Sequence, residues 1–254
     1  MNKRKKVSYN DINLKEWRNY LGDITTNSLW FSNVKSKNIF NIPKRDFLPK
    51  NSSNFHGLFI PEIPYQFINR FTKKGEIVWD CFGGSGTTKK VSDILKRECI
   101  INDLTPQEDF IIQGDSKSFN PKKNVQLIFM HPPYHNIVKY SDKENDGSNF
   151  KSINDFLTWF EDVVKNVTQY LDNNRFLILV CGNIYLNNEE QTLGVWCKDI
   201  IRKYGFKCKA QIIKDYGETK GGNKNYNLNY YRQLKGNYNN FYGDNIFIMQ
   251  KVNK

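Results

Sequence analysis

The sequence has little with which to cross-link itself or hold a metal ion. Its five cysteines, Cys81, Cys99, Cys181, Cys197 and Cys208, stand far apart with no Cys-x-x-Cys pair. The one close histidine pair, His131 and His135, straddles two prolines with no cysteine nearby. Neither a disulfide frame nor a zinc site is supported, so the expected metal content is none. No stretch approaches the roughly 18 apolar residues of a membrane-crossing helix, and the basic start MNKRKK is not followed by an apolar run of signal length. The expectation is a cytoplasmic protein that does not engage a membrane. Internal repeats are absent. Acidic charge is the scarcer sign: 26 Asp and Glu stand against 38 Lys and Arg, a formal net charge of +12. That surplus fits a phosphate-bearing partner, or else a solvated basic surface.

What is present suffices for one substantial domain. With 254 residues, 39% of them hydrophobic and 15% aromatic, the chain can bury a real core, which excludes wholesale disorder. Residues 1–55 are polar, broken by Pro43 and Pro49, and read as an amino-terminal cap or arm anchored by Trp17, Trp30, Phe31 and Phe40. Residues 56–254 form the main domain, in which apolar strand-like runs at 76–80, 98–101, 110–112, 125–130, 176–180, 207–213 and 245–249 alternate with helical stretches at 87–97, 153–171 and 193–204. Such alternation predicts an α/β fold, a doubly wound and mostly parallel sheet covered on both faces. Ligands of such sheets sit at the carboxyl ends of the strands. Residues 214–244, poor in aliphatics and rich in Gly, Tyr and Lys, interrupt the pattern as either a functional insertion or a polar loop.

The sharpest local signal is Asp80-Cys81-Phe82-Gly83-Gly84-Ser85-Gly86-Thr87-Thr88, between a predicted strand and a predicted helix. Its glycines let the backbone turn tightly and approach a ligand, and the helix start offers N–H groups to an anion. Asp103, just past the next strand, stands where such sheets place a carboxylate for ribose hydroxyls, or is simply a strand-end turn residue. Gly114-Asp115 follows the third strand and suits an adenine amino group by the same geometry. The fourth strand ends in His131-Pro132-Pro133-Tyr134. Consecutive prolines stiffen the backbone and leave carbonyls to accept from an amino group, and Tyr134 offers a flat face to an extruded base.

These two motifs resemble those of the amino-methyltransferases that modify adenine N6 or cytosine N4 in DNA, whose cofactor motif is typically D-P-F-x-G-S-G-T-T and whose catalytic motif is [D/N/S]-P-P-[Y/F/W]. Residues 55–64, including Phe59, Ile60 and Pro61, are similar to the family's segment that precedes the cofactor motif and helps enclose it. The resemblance spans residues 55–185. It implies a Rossmann-like methyltransferase sheet with S-adenosylmethionine as cofactor, held by Asp80, Cys81 and Phe82 to Gly86 with Thr87 and Thr88, by Asp103 and Leu104 at the ribose and by Asp115 at the adenine. His131, Pro132, Pro133 and Tyr134 would then surround the target amino group. Two positions depart from the pattern: Cys81 replaces a proline, and His131 replaces the Asp, Asn or Ser that normally accepts from the target.

A neutral imidazole accepts one hydrogen bond, so direct methyl transfer survives; alternatively His131 packs at the strand end and the Pro132 carbonyl accepts. The implied partner is double-stranded DNA with its target base flipped out, with a cognate restriction endonuclease as a further family partner and a monomer or homodimer as the state. Adenine N6 is the preferred target, with cytosine N4, a tRNA or RNA guanine N2 and a non-catalytic nucleic-acid-binding module as alternatives. The stretch between Gly86 and His131 is too short for a target-recognition insert, which places recognition in residues 214–244. There Lys220, Lys224, Arg232 and Lys235 suit phosphates, and Asn229, Tyr230 and Tyr231 suit bases.

Overall fold

The computed structural model describes residues 8–20, 23–26, 28–30, 60–215, 231, 233–237 and 243–252. Among them ten strands and four α-helices are defined: β1 (Leu29–Trp30), α1 (Glu62–Phe71), β2 (Ile77–Asp80), α2 (Thr87–Ile94), β3 (Glu98–Asp103), β4 (Ile112–Gln113), β5 (Val125–Met130), α3 (Ile153–Val167), β6 (Leu171–Cys181), β7 (Ile184–Leu186), β8 (Glu189–Gln191), α4 (Leu193–Lys203), β9 (Phe206–Asp215) and β10 (Gly243–Lys251). Eight strands make one sheet in the order β4-β3-β2-β5-β6-β10-β9-β1. All neighbours are parallel except β10, which runs antiparallel to β6 and to β9. The chain winds outward through β2, β3 and β4, then returns to the middle at β5 and winds the other way. The mostly parallel, doubly wound sheet predicted from the alternation is therefore the fold found, with its switch point between β2 and β5.

Burial on both faces explains why the central strands read as continuous apolar runs. In β6, Leu177, Leu179 and Cys181 join the core under α3 and α4, while Phe176, Ile178 and Val180 join the core under α1 and α2. The same two-residue period divides β5 and β10: Ile128, Met130, Phe247 and Met249 point one way, and Leu127, Phe129, Ile246 and Ile248 the other. Helix α3 starts where Ser152 Oγ accepts from the Asp155 N–H at 3.0 Å, and it buries Phe156, Phe160, Val163, Val164 and Val167 on one stripe.

Several elements differ from the sequence reading for local reasons. The helix predicted to run to Arg97 ends at Ile94, because Lys96 takes φ +60° and turns Arg97 inward. The Arg97 guanidinium there donates to Thr72 O at 2.9 Å and Thr72 Oγ1 at 3.1 Å. Helix α1 was not foreseen, since its Pro64 reads as a breaker, yet the proline lies in the first turn, where its missing N–H costs nothing. The β7–β8 hairpin was also missed; its tip is Asn187-Asn188 with φ +54° and +62°, the left-handed pair that suits tight hairpins. At the amino-terminal side, β1 pairs in parallel with Ile213 and Lys214 of β9, and the wholly buried Trp30 stacks on Phe67 at 5.3 Å.

Candidate active site

The switch point opens a cavity of about 350 Å³ between the carboxyl ends of β2 and β5, within the roughly 300–1,000 Å³ of small-molecule sites. One wall is the turn after β2: Asp80, Cys81, Phe82, Gly83, Gly84, Ser85 and Thr87 all line it. Two backbone contacts set that turn. The Gly83 N–H donates to Asn102 O at 2.9 Å, and the Gly84 N–H donates to Asp103 Oδ2 at 2.8 Å. A Cβ on Gly83 would stand 2.7 Å from Ile101 Cγ1, so the close approach of the turn to β3 requires glycine.

Gly86 lies behind the lining and starts α2 with φ +76°, and a Cβ there would meet the Phe110 ring at 2.5 Å. Gly86→Val is therefore expected to cost about 2–4 kcal/mol, from left-handed strain plus overpacking. Urea unfolding would read the loss, and ligand-induced thermal stabilisation should vanish with it.

Asp80 is the most perturbed acid on this wall. It is 1% exposed at the end of β2, and burial pushes its carboxyl up to about 7, helped by the charge of Asp103. The Phe82 N–H, 3.1 Å from Oδ1, opposes the rise. So does the neighbouring, fully buried Thr88 hydroxyl. The Cys81 thiol is buried against Phe129 O at 3.4 Å, and burial raises its pKa well above the usual value, which leaves it unreactive.

The far wall comes from β3 and β4. Asp103 and Leu104 line the cavity, and Asp103 Oδ1 also accepts from the Thr105 N–H at 2.9 Å. Asp115 faces the same space with Oδ1 accepting from the Lys117 N–H at 2.9 Å and Oδ2 from Asn145 Nδ2 at 2.7 Å. Behind them, buried Asn102 ties the strands together: its Oδ1 accepts from Trp79 Nε1 at 2.7 Å, and its Nδ2 donates to Ser116 Oγ at 2.9 Å.

His131, Pro132, Pro133 and Tyr134 close the cavity from the end of β5. Burial lowers the His131 pKa, Asp244 raises it and Lys214 lowers it, so the imidazole is neutral near pH 7. His131 Nε2 lies 3.1 Å from the Tyr134 hydroxyl, which donates to Asp244 Oδ1 at 2.7 Å. The segment after the prolines completes the enclosure through Ile137, Val138, Tyr140, Asn145, Asp146 and Gly147, backed by Trp159.

The structure thus brings together Asp80–Ser85, Thr87, Asp103, Leu104, Asp115 and His131–Tyr134 around one space. Thr88 lies buried beneath it. Ile60 and Pro61 do not line it; they lead into α1, with Ile60 packed on the core beneath that helix, and Phe59 lies outside the described residues. Of the residues assigned to nucleic-acid contact, Tyr231 and Lys235 are exposed, whereas Lys220, Lys224, Asn229, Tyr230 and Arg232 lie outside the described residues. Tyr140, Asn145, Asp146, Trp159 and Asp244 belong to the site and were missed. Asn145 and Asp146 sit soon after the proline motif in a polar loop, a signal that was available. Asp244 carried none, because only the antiparallel return of β10 brings it to this rim.

The family described as DNA methylase matches residues 1–110 and 125–245 of the chain. Among solved structures, TrmN from Thermus thermophilus is similar at 14% identity over 78% of this chain and 50% of its own, with a TM-score of 0.47. A methyltransferase from Pyrococcus furiosus is 14% identical over 81% of this chain and 89% of its own, TM-score 0.45. An O-methyltransferase of a trans-AT PKS multienzyme of Brevibacillus brevis, in complex with S-adenosyl-L-homocysteine, is 12% identical over 70% of this chain and 67% of its own, TM-score 0.43. The chain spans half the length of the Thermus structure. No curated protein matches the sequence.

Proposed function

The chain belongs to the DNA methylase family, the amino-methyltransferases of the N6-adenine and N4-cytosine type, and from that membership we propose that it methylates an exocyclic base amino group in double-stranded DNA, adenine N6 in preference to cytosine N4. The observation that carries the reading is the meeting of the two motifs: the glycine turn after β2 and the His-Pro-Pro-Tyr turn after β5, at the ends of adjacent strands, line one cavity.

The cofactor is S-adenosylmethionine, which when bound supplies a methyl group activated on a sulfonium centre. The residues present fit such a group: five carboxylates, Asp80, Asp103, Asp115, Asp146 and Asp244, line one cavity, an acceptor set suited to a cationic ligand that carries hydroxyls and an amino group. Asp80 and the Phe82–Ser85 turn would hold the methionine portion, Asp103 with Leu104 the ribose, and Asp115 the adenine. Thr87 at the start of α2 lines the same space, where backbone N–H groups favour a carboxylate. His131 and the Pro132 carbonyl accept from the target amino group and aim its lone pair, so that positioning and electrostatics supply the rate gain. The buried thiols take no part, which separates this chemistry from attack on a pyrimidine ring by a cysteine.

A recessed amino-acceptor site requires the base to leave the duplex stack. Recognition is assigned to residues 214–244. Strands β9 and β10 pair at Asp215 and Gly243, next to Asp244 in the cavity wall, so residues 216–242 join the two strands at the rim where DNA would arrive. Within that stretch Lys220, Lys224, Asn229, Tyr230, Tyr231, Arg232 and Lys235 are proposed to touch DNA, and a restriction endonuclease of matching specificity is the proposed biological partner. The preference for adenine follows the Pro132-Pro133-Tyr134 ending and the family resemblance.

Label transfer tests the acceptor. Protein given cofactor with an isotopic methyl group is incubated with unmethylated DNA or with unmodified tRNA. Label is expected in DNA only; label confined to tRNA refutes the reading.

A further inference from the structure

Tyr134 offers more than a ring face, because its hydroxyl bridges His131 and Asp244. Asp244 opens β10, the antiparallel strand, so its side chain reaches the rim formed by the carboxyl ends of β5 and β6. It is 8% exposed and lines the cavity. The Tyr134 ring reaches it across Gly182, where a Cβ would stand 2.9 Å from Tyr134 Cε2 and 3.5 Å from Asp244 Oδ1. Glycine at the end of β6 therefore admits the bridge.

With the Asp244 carboxylate ionised, the chemistry of the three groups gives the bridge a direction. An ionised carboxylate only accepts, so Tyr134 donates its single proton to Asp244. The phenol oxygen then accepts from His131 Nε2–H, and Nδ1 carries the lone pair of the neutral ring.

We propose, on the basis of the DNA-methylation reading above, that Asp244 is a positioning residue for the transfer: through Tyr134 its carboxylate holds His131 in the Nε2–H tautomer and makes Nδ1 the acceptor for the target amino group. Strand β10 thereby supplies the carboxylate that the His131 motif lacks. As the amino nitrogen forms its bond to the methyl carbon, the methyl–sulfur bond breaks and its electron pair stays on sulfur. The nitrogen becomes cationic and gives one proton to Nδ1, and the resulting imidazolium passes it to water. Among the described residues, Tyr134 from its own turn, Asp244 from β10 and Lys214 from β9 act on His131.

Two readouts test the relay, one of them independent of turnover. Imidazole ¹⁵N NMR of the full chain, which has three histidines, with His131→Gln for assignment, is expected to show the Nε2–H tautomer at pH 8, and Asp244→Asn or Tyr134→Phe is expected to mix the tautomers. In kinetics, each single substitution is expected to lower kcat by about 10- to 100-fold, with cofactor affinity and KM for DNA little changed. The double variant should fall no further than the worse single one, since both cut the same bridge. Asp244→Asn should also move the acid limb of the kcat profile to lower pH, because the charge that raises the His131 pKa is gone.

Tyr134→Phe that keeps full kcat would mean stacking alone and overturns the proposal, as does a tautomer indifferent to both substitutions. Should Asp244→Asn fail to fold, Tyr134→Phe decides by both readouts. Wild-type protein that transfers no methyl group to DNA refutes the acceptor assignment instead, and the NMR result still decides the relay.

Discussion

Asp80→Asn is expected to stabilise the cofactor-free protein at pH 8 while removing most of its affinity for S-adenosylmethionine. The carboxyl is held at about 7 in the folded chain against an ordinary 3.8, so between those values the folded state binds more protons than the unfolded one. Stability contributed by the protonated form is therefore lost as pH rises through that window, and the loss is complete above about pH 7. Burying the charge costs up to about 4 kcal/mol by that shift, and an isosteric amide removes the cost while its oxygen still accepts from the Phe82 N–H. Urea unfolding of wild type and variant at pH 4 and pH 8 checks the sign: the variant's advantage should be small at the lower pH and grow to its full size at the higher.

The same linkage governs binding. A cationic ligand favours the ionised carboxylate, so wild-type cofactor affinity is expected to weaken below about pH 7, by up to about tenfold per pH unit for one coupled proton. Calorimetric titration at several pH values measures it. A buried charge that destabilises the empty fold and is relieved by its ligand is strain held at a functional site.

The His131→Ala, Tyr134→Ala double variant is expected to lose at least about a thousandfold in kcat, since it removes the groups that aim the acceptor nitrogen. Cofactor binding should persist, because Asp80, Asp103 and Asp115 lie on the other strand ends of the cavity. The variant should also lose about 1–3 kcal/mol of stability, as Asp244 loses the Tyr134 hydroxyl in a buried setting. Cofactor-dependent thermal stabilisation measured beside the turnover number separates these effects. Loss of both together would mean that the two walls are not independent.

Much of this was legible in the sequence because the central strands are buried on both faces. Val125–Met130 reads as an apolar run interrupted only by Gln126, and its strand has those bounds. The glycine turn and the proline turn were legible for a related reason, since each needs residues that few other backbones tolerate. Elements with polar or mixed patterns were harder to see. The first half of β6, with Asp172, Asn173 and Asn174, lay outside the strand expected at 176–180, because its residues are polar and Asn174 takes φ +64° where the register with β5 shifts. Helix α1 was hidden by Pro64. Asp244 was hidden because its role depends on a neighbour 110 positions away, a contact that no local pattern encodes.

Nucleoside mass spectrometry of methylated DNA tests the central claim most directly. Protein incubated with S-adenosylmethionine carrying a deuterated methyl group and with unmethylated double-stranded DNA is expected to yield N6-methyladenine bearing the label, absent when His131→Ala, Tyr134→Ala replaces the wild type. Labelled N4-methylcytosine in its place would keep the reaction and change the base. DNA with no labelled amino-methyl base, from protein that binds the cofactor, would contradict the account.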